Sequence, residues 1–112
     1  MTVTAKALFE PLQAQNAETS QYVTPAGTRT IIDKFTGTNT TGAAATLTVK
    51  LVASGGAAAV TNTIVSAKTL AAGETYTFPE VVGHVLNPGD FISTIASTAA
   101  AIVIRASGRE VS

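Results

Sequence analysis

The chain has no cysteine, no tryptophan and a single histidine. Without cysteine, disulfides, thiol catalysis and thiolate zinc sites are all closed to it. One histidine, His84, cannot build a His-based metal cluster within a chain. HExxH, GxxxxGK[ST], GxSxG and EF-hand spacings are also missing. The sequence therefore reads as a non-enzyme with no metal and no cofactor. Charge is scarce as well: 7 basic and 7 acidic residues cancel over 112 positions. Phosphate recognition needs a concentrated basic footprint, so nucleic acid is not an expected partner. The same neutrality removes the repulsion that keeps copies apart, which favours self-association or docking on a larger assembly. No apolar run approaches the ~18 residues of a membrane-spanning helix, so no membrane partner is expected. Residues 1–13, MTVTAKALFEPLQ, are interrupted by Glu10 and Pro11 and do not read as a secretory leader.

What is present is threonine, alanine and β-branched aliphatics, with rings few enough that each should serve as an anchor. Tyr22, Phe35, Tyr76, Phe78 and Phe91 are the expected large core residues. The stretch 28–54 organises the rest. Residues 28–38 are rich in Thr and Ile and suit a pleated surface. Taking every second residue puts Ile31, Asp33, Phe35 and Gly37 on one face. In the returning segment Leu47, Val49 and Leu51 alternate with Thr46, Thr48 and Lys50, the period of a half-buried strand whose aliphatic face meets the core. Asn39-Thr40-Thr41-Gly42 between them has the composition of a hairpin loop.

Residues 1–20 read as an N-terminal arm or edge strand, because Pro11 cannot donate to a ladder; a short helix is the other reading. Residues 21–112 read as the main domain. Turn chemistry recurs at Pro25-Ala26-Gly27, Ala71-Ala72-Gly73-Glu74 and Asn87-Pro88-Gly89-Asp90, each feeding a strand. Further strands are expected over 21–24, 61–68, 74–78, 81–86, 91–96 and 100–111. In the last of these Ile102, Ile104 and Ala106 point inward. Seven to nine short strands at this spacing make an all-β antiparallel β-sandwich, with jelly-roll or Ig-like connectivity both open.

Four residues stand out as possible interface or ligand contacts: Tyr22, Asp33, Tyr76 and His84. Asp33 interrupts an apolar face, so it either faces solvent or accepts hydrogen bonds from a nearby arginine or backbone amides. Arg105, Arg109 and Glu110 are candidates for surface pairs. Ser93 and Asp90 lie near His84 in sequence, but Asp90 reads as a turn residue rather than part of a triad. Tyr22 and Tyr76 are the only rings that could serve a sugar site, and both fit a core edge better. Asn39-Thr40-Thr41 matches the glycosylation sequon and is most simply turn composition.

Over residues 22–111 the chain resembles small virion proteins of tailed bacteriophages. The resemblance is carried by Tyr22-Val23-Thr24-Pro25-Ala26-Gly27-Thr28, by Ile31 to Asn39 closing in Thr40-Thr41-Gly42, and by Leu47 to Leu51. It continues in Ala72-Gly73-Glu74-Thr75-Tyr76, in Leu86-Asn87-Pro88-Gly89-Asp90 and in Ser107-Gly108-Arg109-Glu110-Val111. It implies a β-sandwich structural component, a capsid decoration (cement) or a neck, collar or tail accessory protein. Such a protein would be made in the host cytoplasm, reside in the virion and contact other virion proteins (capsid, neck or tail) as a homo-oligomer. The expectation from a different class is a glycan- or receptor-binding module.

Overall fold

The computed structural model describes residues 1–112 and is all-β apart from one 3-10 turn at Val60–Asn62. The strands are β1 (Val3–Gln13), β2 (Thr19–Val23), β3 (Arg29–Asn39), β4 (Ala45–Val52), β5 (Thr63–Leu70), β6 (Thr75–Tyr76), β7 (Val85–Leu86), β8 (Phe91–Ala96) and β9 (Ile102–Val111). One sheet runs β1-β9-β3-β6, with β7 also on β3; the other runs β2-β8-β4-β5. Every pairing is antiparallel. The expected antiparallel β-sandwich is the architecture found. Its pairing is nested: β1 with β9, β2 with β8, β3 with β6 and β7, β4 with β5. Early and late segments of the chain thus meet strand by strand.

The central stretch departs from expectation in a specific way. β3 and β4 lie in different sheets, so residues 39–45 form a corner between layers rather than a hairpin. Asn39 caps this turn with its side chain, but Gly42 does not take positive φ and the strand that follows belongs to the other sheet. Asn39 is fully buried at the corner. Its amide nitrogen donates to the Ala43 carbonyl at 2.8 Å and the Leu70 carbonyl at 3.0 Å. Its oxygen accepts from the Thr41 N–H at 3.0 Å and the Thr41 hydroxyl at 2.8 Å. A side chain committed on both sides in this way holds the chain through its change of layer. It also withholds the sequon nitrogen from modification in the folded protein.

The second correction concerns the faces of β3. Opposite β9, Ile32 pairs with Gly108 and Lys34 with Ser107, leaving Asp33 as the extra residue of a bulge. A bulge shifts the period-2 pattern by one residue. Thr30 and Ile32 therefore point inward before it, and Phe35, Gly37 and Asn39 after it. Asp33 does not share a face with Phe35. Gly108 makes the close approach possible: a Cβ there would stand 2.2 Å from the Ile31 carbonyl oxygen.

The two inner faces enclose one apolar core. Leu47 and Val49, and Ile102, Ile104 and Ala106, face it as their alternation predicts; Leu51 is half-buried while Val52 is inside. Four rings run across it edge to face: Phe9 on Phe35 with centroids 5.8 Å apart, Phe35 on Phe78 at 5.3 Å, Phe78 on Tyr76 at 4.9 Å. These are the offset geometries that aromatic quadrupoles favour. Gly37 seats the third ring, since a Cβ there would come within 2.8 Å of Phe78 Cε1. Phe9, which alternation had not marked as an anchor, is buried; Phe91 is half-buried. The strands expected over 74–78 and 81–86 shrink to two residues each. The backbone takes positive φ at Phe78 (42°) and Gly83 (89°), which breaks the extended run. The intervening segment still plugs the sandwich with Phe78, Val81 and Leu86 and tracks β3 through Gly83 N–H to the Ile32 carbonyl and Ile32 N–H to the His84 carbonyl.

Candidate interaction surfaces

The structure scatters the singled-out residues instead of gathering them. Tyr22, on β2, points between the sheets and is buried. Its hydroxyl donates to Glu110 Oε2 and lies 2.8 Å from Thr30 Oγ1, while Lys6 Nζ sits 3.2 Å from the same carboxylate. Tyr22 thus ties one sheet to the other through a polar bridge at one end of the core. Burial, and then the bond to the anionic Glu110, push its phenol up to about 12. That bond, foremost, holds the Glu110 carboxyl below its ordinary value, with Lys6 adding to the effect.

Asp33 is exposed at its bulge and takes a two-pronged bond from Arg109, Nε to Oδ2 and Nη2 to Oδ1, both at 3.0 Å. This is the arginine pairing expected for it, and the bond to Asp33 raises the guanidinium pKa. Tyr76 lies at the opposite lateral side from Tyr22. Its hydroxyl donates to Glu80 at 2.8 Å, Lys68 Nζ stands 4.5 Å from its ring centroid, and Phe78 packs on it. The hydrogen bond to Glu80 is the main cause raising its phenol. His84 sits exposed in the segment beside β3, engaged through its backbone. The two tyrosines therefore form no shared platform.

Ser93, Asp90 and His84 are likewise apart in role. The Ser93 hydroxyl donates to Glu18 at 2.7 Å, and Glu18 also pairs with Lys50 across the outer face of the second sheet. Asp90 accepts from the backbone N–H of Ser54 and of Asn87, both at 2.9 Å, clamping two turns together. Sequence reasoning missed the partners Thr30, Lys6 and Glu18. Their signal exists only once distant strands are paired, because each acts across the fold. No group of three or more His, Asp or Glu residues is placed to hold a metal ion. No helix is long and apolar enough to cross a membrane. A shallow cleft of about 360 Å³ opens where Met1, Thr28, Arg29, Pro88 and Val111 meet.

What remains available is surface: exposed Val3, Val23, Val60, Val82 and Val85, and the free edges of both sheets. These features define an antiparallel β-sandwich whose polar side chains mostly serve its own stability. No protein-family model matches the chain, and no curated protein matches it. Among solved structures, its fold is similar to part of a chain in the structure of infectious bursal disease virus Gt strain, at 11% identity with a TM-score of 0.48. The match covers 97% of this chain and 32% of that one, so the chain spans about a third of its length.

Proposed function

We propose that the protein is a structural component of a tailed-bacteriophage virion, a capsid decoration (cement) protein or a neck or tail accessory protein. It acts by protein–protein contacts with other virion proteins, as a homo-oligomer and without catalysis, after synthesis in the host cytoplasm. The observation that carries the reading is the nested strand order. First-with-last pairing over a five-strand layer, β1-β9-β3-β6 with β7 also on β3, and a four-strand layer, β2-β8-β4-β5, supports a jelly-roll reading, an architecture that recurs in viral capsid and lectin domains. A shared architecture hosts many functions. The surface narrows the choice, because Asp33, Tyr22, Glu110, Glu18 and Lys50 are consumed by internal pairing. The ordered turn-and-strand resemblance to small phage virion proteins points the same way. Glycan or receptor binding has less support, since Tyr22 is buried and Tyr76 is engaged by Phe78, Lys68 and Glu80.

Mass spectrometry of purified phage particles encoding this chain, followed by particle imaging, tests the proposal. The expected result is a fixed stoichiometry on the particle. A protein absent from virions would overturn the assignment.

A further inference from the structure

An audit of the sheet edges separates one from the others. β2 is five residues long and broken by a register shift between Ser20 and Tyr22. β5 carries register shifts and the left-handed residue Ala67, with φ of 44°. β6 and β7 are two residues each. Short strands, bulges and kinks are the devices that stop edges from pairing. β1 has them too, but only in its second half, where register shifts fall between Ala7 and Phe9 and between Phe9 and Leu12, and where Pro11 lacks an N–H. Residues 3–7 are straight, pairing without a break from Val3 with Val111 to Ala7 with Ser107.

The hydrogen-bond phase of this segment follows from its first pair. Thr2 and Ser112 exchange both backbone bonds, each at 2.9 Å. In an antiparallel ladder such pairs alternate, so Thr4 and Lys6 spend their N–H and C=O groups on β9, while those of Val3, Ala5 and Ala7 point outward from the edge. Residues 3–6 are exposed throughout, Val3 by 53%. An edge lysine normally guards against pairing. Here Lys6 is drawn inboard to Glu110 at 3.2 Å, which both neutralises it and clears the edge.

We propose that two copies of this chain join edge to edge through residues 3–7 of β1, antiparallel about a two-fold axis at Ala5. That register sets Ala5 opposite Ala5 of the second copy, Val3 opposite Ala7 and Thr4 opposite Lys6. No like charges face each other, and the outward row is one of small apolar side chains. The outward N–H and C=O groups of Val3, Ala5 and Ala7 all find partners. The bulges beyond Ala7 stop the pairing, and the guarded remaining edges keep it from propagating, so the contact closes as an isologous dimer instead of growing into a fibre. This names the contact on which the homo-oligomer of the proposed function would rest.

The test uses the full chain, whose lack of cysteine gives a clean background. A hydrogen-bonded antiparallel pair has Cα atoms about 5.5 Å apart, within disulfide range. Under mild oxidation Ala5→Cys should give a covalent dimer, Val3→Cys and Ala7→Cys alone should not, and an equal mixture of those two should. Ala5→Pro removes an outward N–H and no intramolecular bond, so it should weaken dimerisation at least about tenfold with the circular dichroism unchanged. If Ala5→Pro unfolds the chain, Ala5→Lys and Ala5→Glu replace it: each alone monomeric, their mixture dimeric. A monomeric wild-type chain, an oligomer insensitive to the Ala5 substitutions, or cross-linking at Ala5 no stronger than with Glu10→Cys would each overturn the proposal. An oligomer insensitive to Ala5 leaves the virion role standing; a protein absent from virions whose Ala5→Cys dimer still forms leaves the edge contact standing.

Discussion

Replacing Asn39 by alanine is the sharpest perturbation of the corner between the layers. The side chain has no exposed surface, donates to the Ala43 and Leu70 carbonyls and accepts from the Thr41 N–H and hydroxyl. Alanine removes all of these. The Ala43 carbonyl keeps a partner in the Thr41 hydroxyl at 3.0 Å, whereas the Leu70 carbonyl loses its side-chain donor. At a net ~1 kcal/mol per bond, and with a buried acceptor left short, the loss should be about 3 kcal/mol. A specific unfolding entropy of ~2.1 cal/mol/K per residue gives about 0.24 kcal/mol/K for 112 residues, so the melting temperature should fall by roughly 13 °C. Circular-dichroism melts and urea titrations, with the m-value as a check that the unfolded reference is unchanged, measure it. Asn39→Asp isolates the donors, because it preserves shape and acceptors while turning a carboxylate oxygen toward two carbonyls. At neutral pH it should destabilise at least as much as alanine. That buried carboxyl's pKa is raised in the folded state, so the deficit should narrow as pH falls toward the ordinary Asp value of ~3.9 and the proton restores a donor. A loss below about 1 kcal/mol for Asn39→Ala would refute the view that this side chain holds the corner.

Gly108→Ala should cost roughly 3 kcal/mol or more, since its Cβ would meet the Ile31 carbonyl at 2.2 Å inside the sheet; an unchanged melting temperature would mean that β9 and β3 do not pair through this bulge. Ala100→Gly should stabilise by ~0.5–1 kcal/mol in the same melts, because Ala100 sits at a φ of 58° that costs an L-residue more than glycine's extra entropy does; a loss would argue against that backbone. Tyr22→Phe should cost ~1–2 kcal/mol at neutral pH, because buried Thr30 loses its partner and Glu110 loses a donor while keeping Lys6. Because the folded Glu110 pKa is depressed, its contribution is present above the ordinary carboxylate range and lost as pH falls through the folded value, so the gap between variant and wild type should shrink in acid. At the other limit, raising Tyr22 from 10.0 to about 12 predicts stability lost as pH climbs between those values, and a late tyrosinate absorbance step that Tyr22→Phe abolishes.

Local chemistry was legible wherever alternation ran unbroken. β9 showed its inward face as Ile102, Ile104 and Ala106, and the turns at 25–27, 71–74 and 87–90 announced themselves through glycine and proline. What could not be read was which strand each turn delivers the chain to. Asn39-Thr40-Thr41-Gly42 has a composition that serves a hairpin or a corner alike; only pairing with distant strands decides which. The Asp33 bulge is a second case. One extra residue reverses the inward phase of β3, and the alternation that grouped Asp33 with Phe35 had no means of registering it. The polar interruption itself was the trace the bulge left in the sequence. Tyr22 lies inside, as expected of a core anchor, but its role as a tie between the sheets could not be read, because its partners Thr30 and Glu110 lie on strands of the facing sheet.

The nested pairing also dictates an order of assembly within the chain. The β4–β5 pair closes the smallest loop, and the sole ladder partner of β1 is β9, the pairing of widest sequence separation. Loop-closure entropy makes such distant pairings slow to form, so folding should propagate from the inner pair outward and finish at β1. The straight edge around Ala5 takes its final hydrogen-bond phase only when β9 is in place. On the proposed edge contact, two copies would join in register only after β9 has docked in each, which would make β9 a checkpoint between folding and assembly.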